Sequence, residues 1–122
     1  MFFTKIAGPI KITSGTNGAD VEFPLPPRRV GSRAKQAQYT LKVVSASGTA
    51  PKLGFKLRHG PDGVASKEIS SVATAAPPAD ILLIVDSGSM MLCEFIHPIP
   101  VAGGTATGDS VTIEVYEMVK PF

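Results

Sequence analysis

Residues 39–63 read YTLKVVSASGTAPKLGFKLRHGPDG, and two runs of strict alternation within them decide the fold class. Tyr39, Leu41 and Val43 fall on one side of an extended chain, with Thr40 and Lys42 on the other. After a turn-rich break, Leu53, Phe55 and Leu57 alternate with Lys52, Gly54, Lys56 and Arg58. Successive Cβ atoms of a strand point to opposite faces, so each run is a strand with one buried and one wet face. Taken as neighbours, the runs predict a hairpin over 36–58 whose outer face is basic, with a projecting connection at 45–51.

Outward from that stretch the same grammar repeats. Short strands are expected at 2–6, 10–13 and 21–23, separated by Gly8-Pro9 and the turn-forming SGTNG of 14–18. Residues 24–35, PLPPRRVGSRAK, carry three prolines and read as a loop or a strand-edge crossing, because proline lacks the ladder donor. HGPDG at 59–63 is a turn signal, and 64–80 reads as one weak strand plus a loop. The run ILLIV at 81–85 suggests a strand buried on both faces. A further strand is expected within 89–97, ended by Pro98 and Pro100, before the glycine-threonine turn at 102–109. In the last strand, 111–119, Val111, Ile113 and Val115 point inward while Thr112, Glu114 and Tyr116 point outward.

Gly (12) and Pro (11) cluster between the apolar runs, and no amphipathic helix stands out. The expected fold is all-β: one antiparallel β-sandwich domain over 1–122, jelly-roll-like, with about seven or eight strands. Its first 35 residues, strands plus the Pro/Arg-rich crossing, are a candidate assembly arm. A chain of 122 residues can bury one core without disulfide or metal help. The single Cys93 excludes an internal disulfide, and its apolar setting, MMLCEFI, suits a small buried hydrophobe. No run approaches the ~20 apolar residues of a membrane span. The amino terminus does not read as a signal peptide, so a cytosol-made, unsecreted protein is expected, or one delivered by a route other than an amino-terminal signal.

Charge is polarised along the chain. Between Phe23 and Pro61 the sequence is +8, and from Asp62 onward it is −6, although the whole is only +2. Either interleaved strands intermix these charges, or the molecule presents a basic and an acidic face suited to docking on a charged lattice. Under the second reading the partner-binding candidates are Arg28, Arg29, Arg33, Lys35, Lys42, Lys56 and Arg58. Reversing Arg28, Arg29 and Arg33 to Glu is then expected to abolish lattice binding without unfolding. Nucleic acid is a poorer partner, since Tyr39 and Phe55 lie on the core face and leave no aromatics for base stacking.

Chemistry is sparse. His59 at a turn is expected to be exposed, and His97 at a strand end to be a rim residue. Cys93 and His97 offer only an i, i+4 pair, ~13 Å apart in a strand, so no metal or cofactor is expected. Asp80 and Asp86, or Glu114 and Glu117, would be paired carboxylates at solvent-facing strand ends, weak candidates for glycoside chemistry. The SGT and GGT clusters lack the Lys-Ser/Thr ending of a phosphate loop, and DSGSM is not a G-x-S-x-G elbow. No catalytic residue is assigned, and an enzyme is not expected.

The S-G-T-x-P-x-L of 47–53, its alternation, the H-G-P-D-G of 59–63 and the final alternating strand resemble small β-sandwich virion proteins of tailed bacteriophages. That resemblance implies a capsid decoration or cement subunit, made in the host cytoplasm and placed on the capsid surface. Its implied partners are the major capsid protein and further copies of itself in a homo-oligomer such as a trimer, with no membrane. The alternative is a carbohydrate- or protein-binding sandwich module, for example tail-associated. With no Trp, a sugar-stacking site would depend on Tyr39, Tyr116 and a few Phe.

Overall fold

The computed structural model describes residues 3–30, 34–60, 67–86 and 95–121. Among them are nine strands: β1 (Thr4–Thr13), β2 (Val21–Glu22), β3 (Arg28–Arg29), β4 (Ala34–Ser47), β5 (Lys52–Gly60), β6 (Lys67–Ala75), β7 (Ile81–Val85), β8 (Phe95–Gly103) and β9 (Ser110–Pro121). They form two antiparallel sheets, ordered β1-β9-β4-β7 and β2-β8-β5-β6, with β3 also pairing to β8. With β3 left out of the count, strands thus pair with their counterparts from the other end of the chain: β1 with β9, β2 with β8, β4 with β7, β5 with β6. Joining these nested pairs through β4–β9 and β5–β8 gives the strand order of a jelly roll. The expected all-β sandwich is observed.

The core lies between the sheets. Tyr39, Leu41, Ile113 and Val115 from one sheet meet Phe55, Leu57 and Ile96 from the other, all fully buried. The inward set of β9, Val111, Ile113 and Val115, is the one its alternation names.

The two defining runs are strands, but they are not a hairpin. β4 pairs with β7 and β9 while β5 pairs with β6 and β8, so 48–51 crosses from one sheet to the other. Tyr39 and Leu41 therefore face Leu53, Phe55 and Leu57 across the core rather than lying beside them. Alternation fixes which face is buried and leaves the pairing partner open. The crossing is fixed by Asp109, a fully buried carboxylate at the start of the β9 approach. Its oxygens accept backbone N–H bonds from Thr49 (2.6 Å) and Ala50 (3.3 Å) in the crossing, and from Thr105 (2.9 Å) and Ala106 (3.2 Å) in its own loop. Gly48 sits at φ 113°, and a Cβ there would run into the Asp109 carboxylate. Both the left-handed backbone and the close approach require glycine.

Three further expectations change. Gly8-Pro9 does not split β1; the strand continues past it with register breaks against β9. Pro98 and Pro100 do not end β8, which runs on to Gly103. Their carbonyls accept from Leu25 N (3.0 Å) and Phe23 N (2.8 Å), so their missing donors face the 21–29 edge, not β5. Finally, ILLIV is not buried on both faces. β7 is an edge strand in which Leu83 and Val85 are buried while Leu82 and Ile84 are 53% and 43% exposed. The expected strand positions 89–94 lie outside the described residues.

Candidate interaction surface

The structure scatters the candidate cations over separate parts of the molecule. Arg28, on β3, turns inward across the end of the sandwich. Its Nε and a terminal nitrogen donate to the two oxygens of Glu117 at 3.1 and 2.8 Å, and the Tyr39 hydroxyl donates to the same carboxylate at 2.8 Å. Tyr39 and Glu117 are cross-strand neighbours on β4 and β9, so the bidentate pair ties one sheet to the other. Hydrogen bonding to the Glu117 carboxylate holds the Arg28 guanidinium protonated even above its usual range, against the opposing effect of burial. Glu117 is therefore a buried structural carboxylate, not a solvent-facing strand end, and its three acceptor bonds leave it unsuited to acid–base work. Arg28 is likewise an internal strut, so reversing it to Glu would perturb the fold together with any docking.

Lys56 and Arg58 lie on the outer face of the β2-β8-β5-β6 sheet, and both converge on Glu22 of β2. The Lys56–Glu22 bond, 2.7 Å, spans β8. In register, Lys56 sits opposite Ile99 and Glu22 opposite Val101. The ion pair thus arches over two apolar side chains that face outward yet are buried, and their stems supply that cover. The hydrogen bond from Lys56 lowers the Glu22 carboxyl below its ordinary range, with desolvation opposing it.

Lys42 lies on the outer face of the other sheet, opposite Glu114, which also accepts from Lys5 at 3.3 Å. Arg29 and Lys35 are exposed with no ion pair among the described residues. Arg33 lies outside the described residues, as do Asp62, Ser87, Cys93 and Glu94. The described cations of the +8 segment thus lie on opposite faces, with Arg28 answered by Glu117, Lys56 and Arg58 by Glu22, and Lys42 set opposite Glu114 in register: they do not form one basic face. Sequence order could not show this, because β4 and β5, consecutive in the chain, belong to opposite sheets.

Both histidines are placed differently from expectation. His59 lies within β5 opposite Ile96 and is half-buried rather than exposed; positions 61–63 of the expected turn lie outside the described residues. His97 lies within β8 opposite Arg58, buried, and its Nε2 has no hydrogen-bond partner among the described residues. No group of three or more His, Cys, Asp or Glu gathers as a metal site among the described residues, and no helix is long and apolar enough to cross a membrane.

What the sequence did not single out is the outer face and free edge of the β1-β9-β4-β7 sheet. There Leu82 and Ile84 flank Thr40 and Gln38 of β4 in register. Val44, displaced by the register break between Val43 and Ser45, is 50% exposed. The signal available was the run ILLIV itself, five apolar residues that an edge position leaves half uncovered.

No family model, curated protein or solved structure matches the chain.

Proposed function

We propose that this protein is a virion structural subunit, a capsid decoration or cement protein that docks on the outside of the major capsid lattice. The observation that supports this reading is the jelly-roll strand order, an architecture that viral capsid domains share with lectins and cupins. The support is an analogy of fold, and the site argues in the same direction. The two buried carboxylates, Glu117 and Asp109, are occupied in holding the two sheets together. What remains on the outside is a mixed-charge surface with an apolar edge, suited to contact rather than chemistry. The sugar-binding alternative loses one of its two tyrosines, because Tyr39 is fully buried.

Size-exclusion chromatography with light scattering, together with a glycan array, separates the two readings. A stable symmetric oligomer that ignores glycans supports the virion reading. A strict monomer that binds a defined glycan would sink it. For lattice contact, the informative reversal is Arg29→Glu with Lys35→Glu, which spares the Arg28 strut and sets no Glu opposite Glu114. Capsid occupancy should fall at unchanged melting temperature; unchanged occupancy would make these cations a solvated surface only.

A further inference from the structure

A jelly roll built from two open sheets has four edges, and this molecule treats them unequally. A free strand edge is a template for pairing with another chain, and proteins blunt it with proline, lysine, bulges or short polar strands. β1 carries Pro9, Lys5, Lys11 and two register breaks. The 21–29 edge carries Pro24, Pro26 and Pro27. β6, KEISSVATA, is polar and breaks register twice against β5. β7 has none of these devices: it is five apolar residues in unbroken register with β4, and among the described residues it pairs with β4 alone.

From this asymmetry we infer that β7 is an acceptor edge that captures an extended segment of a partner protein, apolar on alternate residues and carrying Lys or Arg at both ends. Main-chain bonds to the edge would give affinity, and Leu82 and Ile84 would receive the apolar side chains beside them. The flanking cations follow from Asp80 and Asp86, which bracket β7 and are both exposed. Asp80 uses one oxygen to accept from Val43 N (2.9 Å), and Asp86 one oxygen to accept from the Gln36 amide (3.0 Å). The remaining oxygen of each makes no hydrogen bond among the described residues. Six residue steps separate the two carboxylates, roughly 20 Å along a strand.

The same aspartates select against a second copy at this edge. Antiparallel pairing of two β7 strands about Leu83 would set Asp80 of each copy across from Asp86 of the other. Like charges directly opposite are destabilising. The partner's place in a capsid rests on the proposed function; strand capture itself does not, and is tested on the isolated protein.

The probes are two capped seven-residue peptides of alternating valine and threonine, one with lysine at each end and one with glutamate. Titration is followed by backbone amide chemical shifts at an ionic strength of about 0.05 M, where surface charge is weakly screened. The lysine peptide should shift amides over 80–86 and bind about tenfold tighter than the glutamate peptide. The double variant Leu82→Lys, Ile84→Lys should lose that binding at unchanged melting temperature, and Asp80→Asn with Asp86→Asn should make the two peptides equal. Silence at 80–86 with both peptides, or equal binding of both to the unaltered protein, would overturn the inference. So would a dimer in sedimentation velocity that Leu82→Lys, Ile84→Lys abolishes, since the edge would then belong to a second copy. Peptide capture without capsid binding would overturn the proposed function alone, and capsid binding without peptide capture would overturn this inference alone.

Discussion

Glu117→Ala removes the acceptor on which the Arg28 guanidinium and the Tyr39 hydroxyl converge, and its cost can be built up from the contacts. Tyr39 is fully buried, so loss of its charged acceptor costs about 1–2 kcal/mol. The Arg28 side chain is 40% exposed and recovers water, which limits its share to about 1 kcal/mol despite the bidentate geometry. Truncating the packed Cγ methylene adds roughly 0.8 kcal/mol. The sum is about 3 kcal/mol, or a fall of roughly 10 °C in melting temperature for a domain of this size. Glu117→Gln keeps an acceptor and should cost about 1 kcal/mol. The assay is chemical denaturation at neutral pH on wild type, Glu117→Ala, Arg28→Ala and the double variant. A coupling of about 1–2 kcal/mol is expected for two residues sharing one network. A Glu117→Ala protein within about 0.5 kcal/mol of wild type, or a coupling of zero, would refute the reasoning.

Further outcomes follow from the opposite end of the sandwich and from β7. The backbone N–H of Thr105, with those of Thr49, Ala106 and Ala50, holds the Asp109 carboxyl below its usual range despite desolvation. A carboxyl whose folded pKa is depressed contributes stability above its unfolded value of about 3.9, and that stability is lost as pH falls through the folded pKa. Denaturation curves of Asp109→Asn and wild type should therefore lie far apart at neutral pH and converge on acidification; a gap that does not narrow contradicts the assignment. Gly48→Ala should cost about 2–3 kcal/mol by calorimetry, since the new Cβ meets Asp109 at a positive φ. Leu82→Ser and Ile84→Ser should each cost under about 0.5 kcal/mol, against about 2–4 kcal/mol for Leu83→Ala. Equal costs at all three positions would restore a β7 buried on both faces.

The fold class was legible because alternation is local: Tyr39, Leu41, Leu53, Phe55, Leu57, Val111, Ile113 and Val115 each declare an inward face from their immediate neighbours. Pairing was not, because it is decided at a distance. That β4 leaves for another sheet depends on a carboxylate 60 residues further on, Asp109, gripping the Thr49 amide. ILLIV reads as doubly buried by composition, and only its place at the sheet edge uncovers Leu82 and Ile84. Arg28 and Glu117, 89 residues apart, look like surface charges of opposite segments until β3 and β9 are set across one end of the core. The docking candidates suffered from the same cause, since β4 and β5, which carry most of the cationic stretch, belong to opposite sheets.

The central claim, that the sandwich is a virion component and not an enzyme or a lectin, is tested most directly by composition. Virus particles purified from a culture that makes this protein should contain it at a fixed ratio to the major capsid protein, measured by quantitative mass spectrometry and located on the capsid exterior by cryo-electron microscopy. Its absence from washed particles, with the protein recovered free in the lysate, would contradict the account.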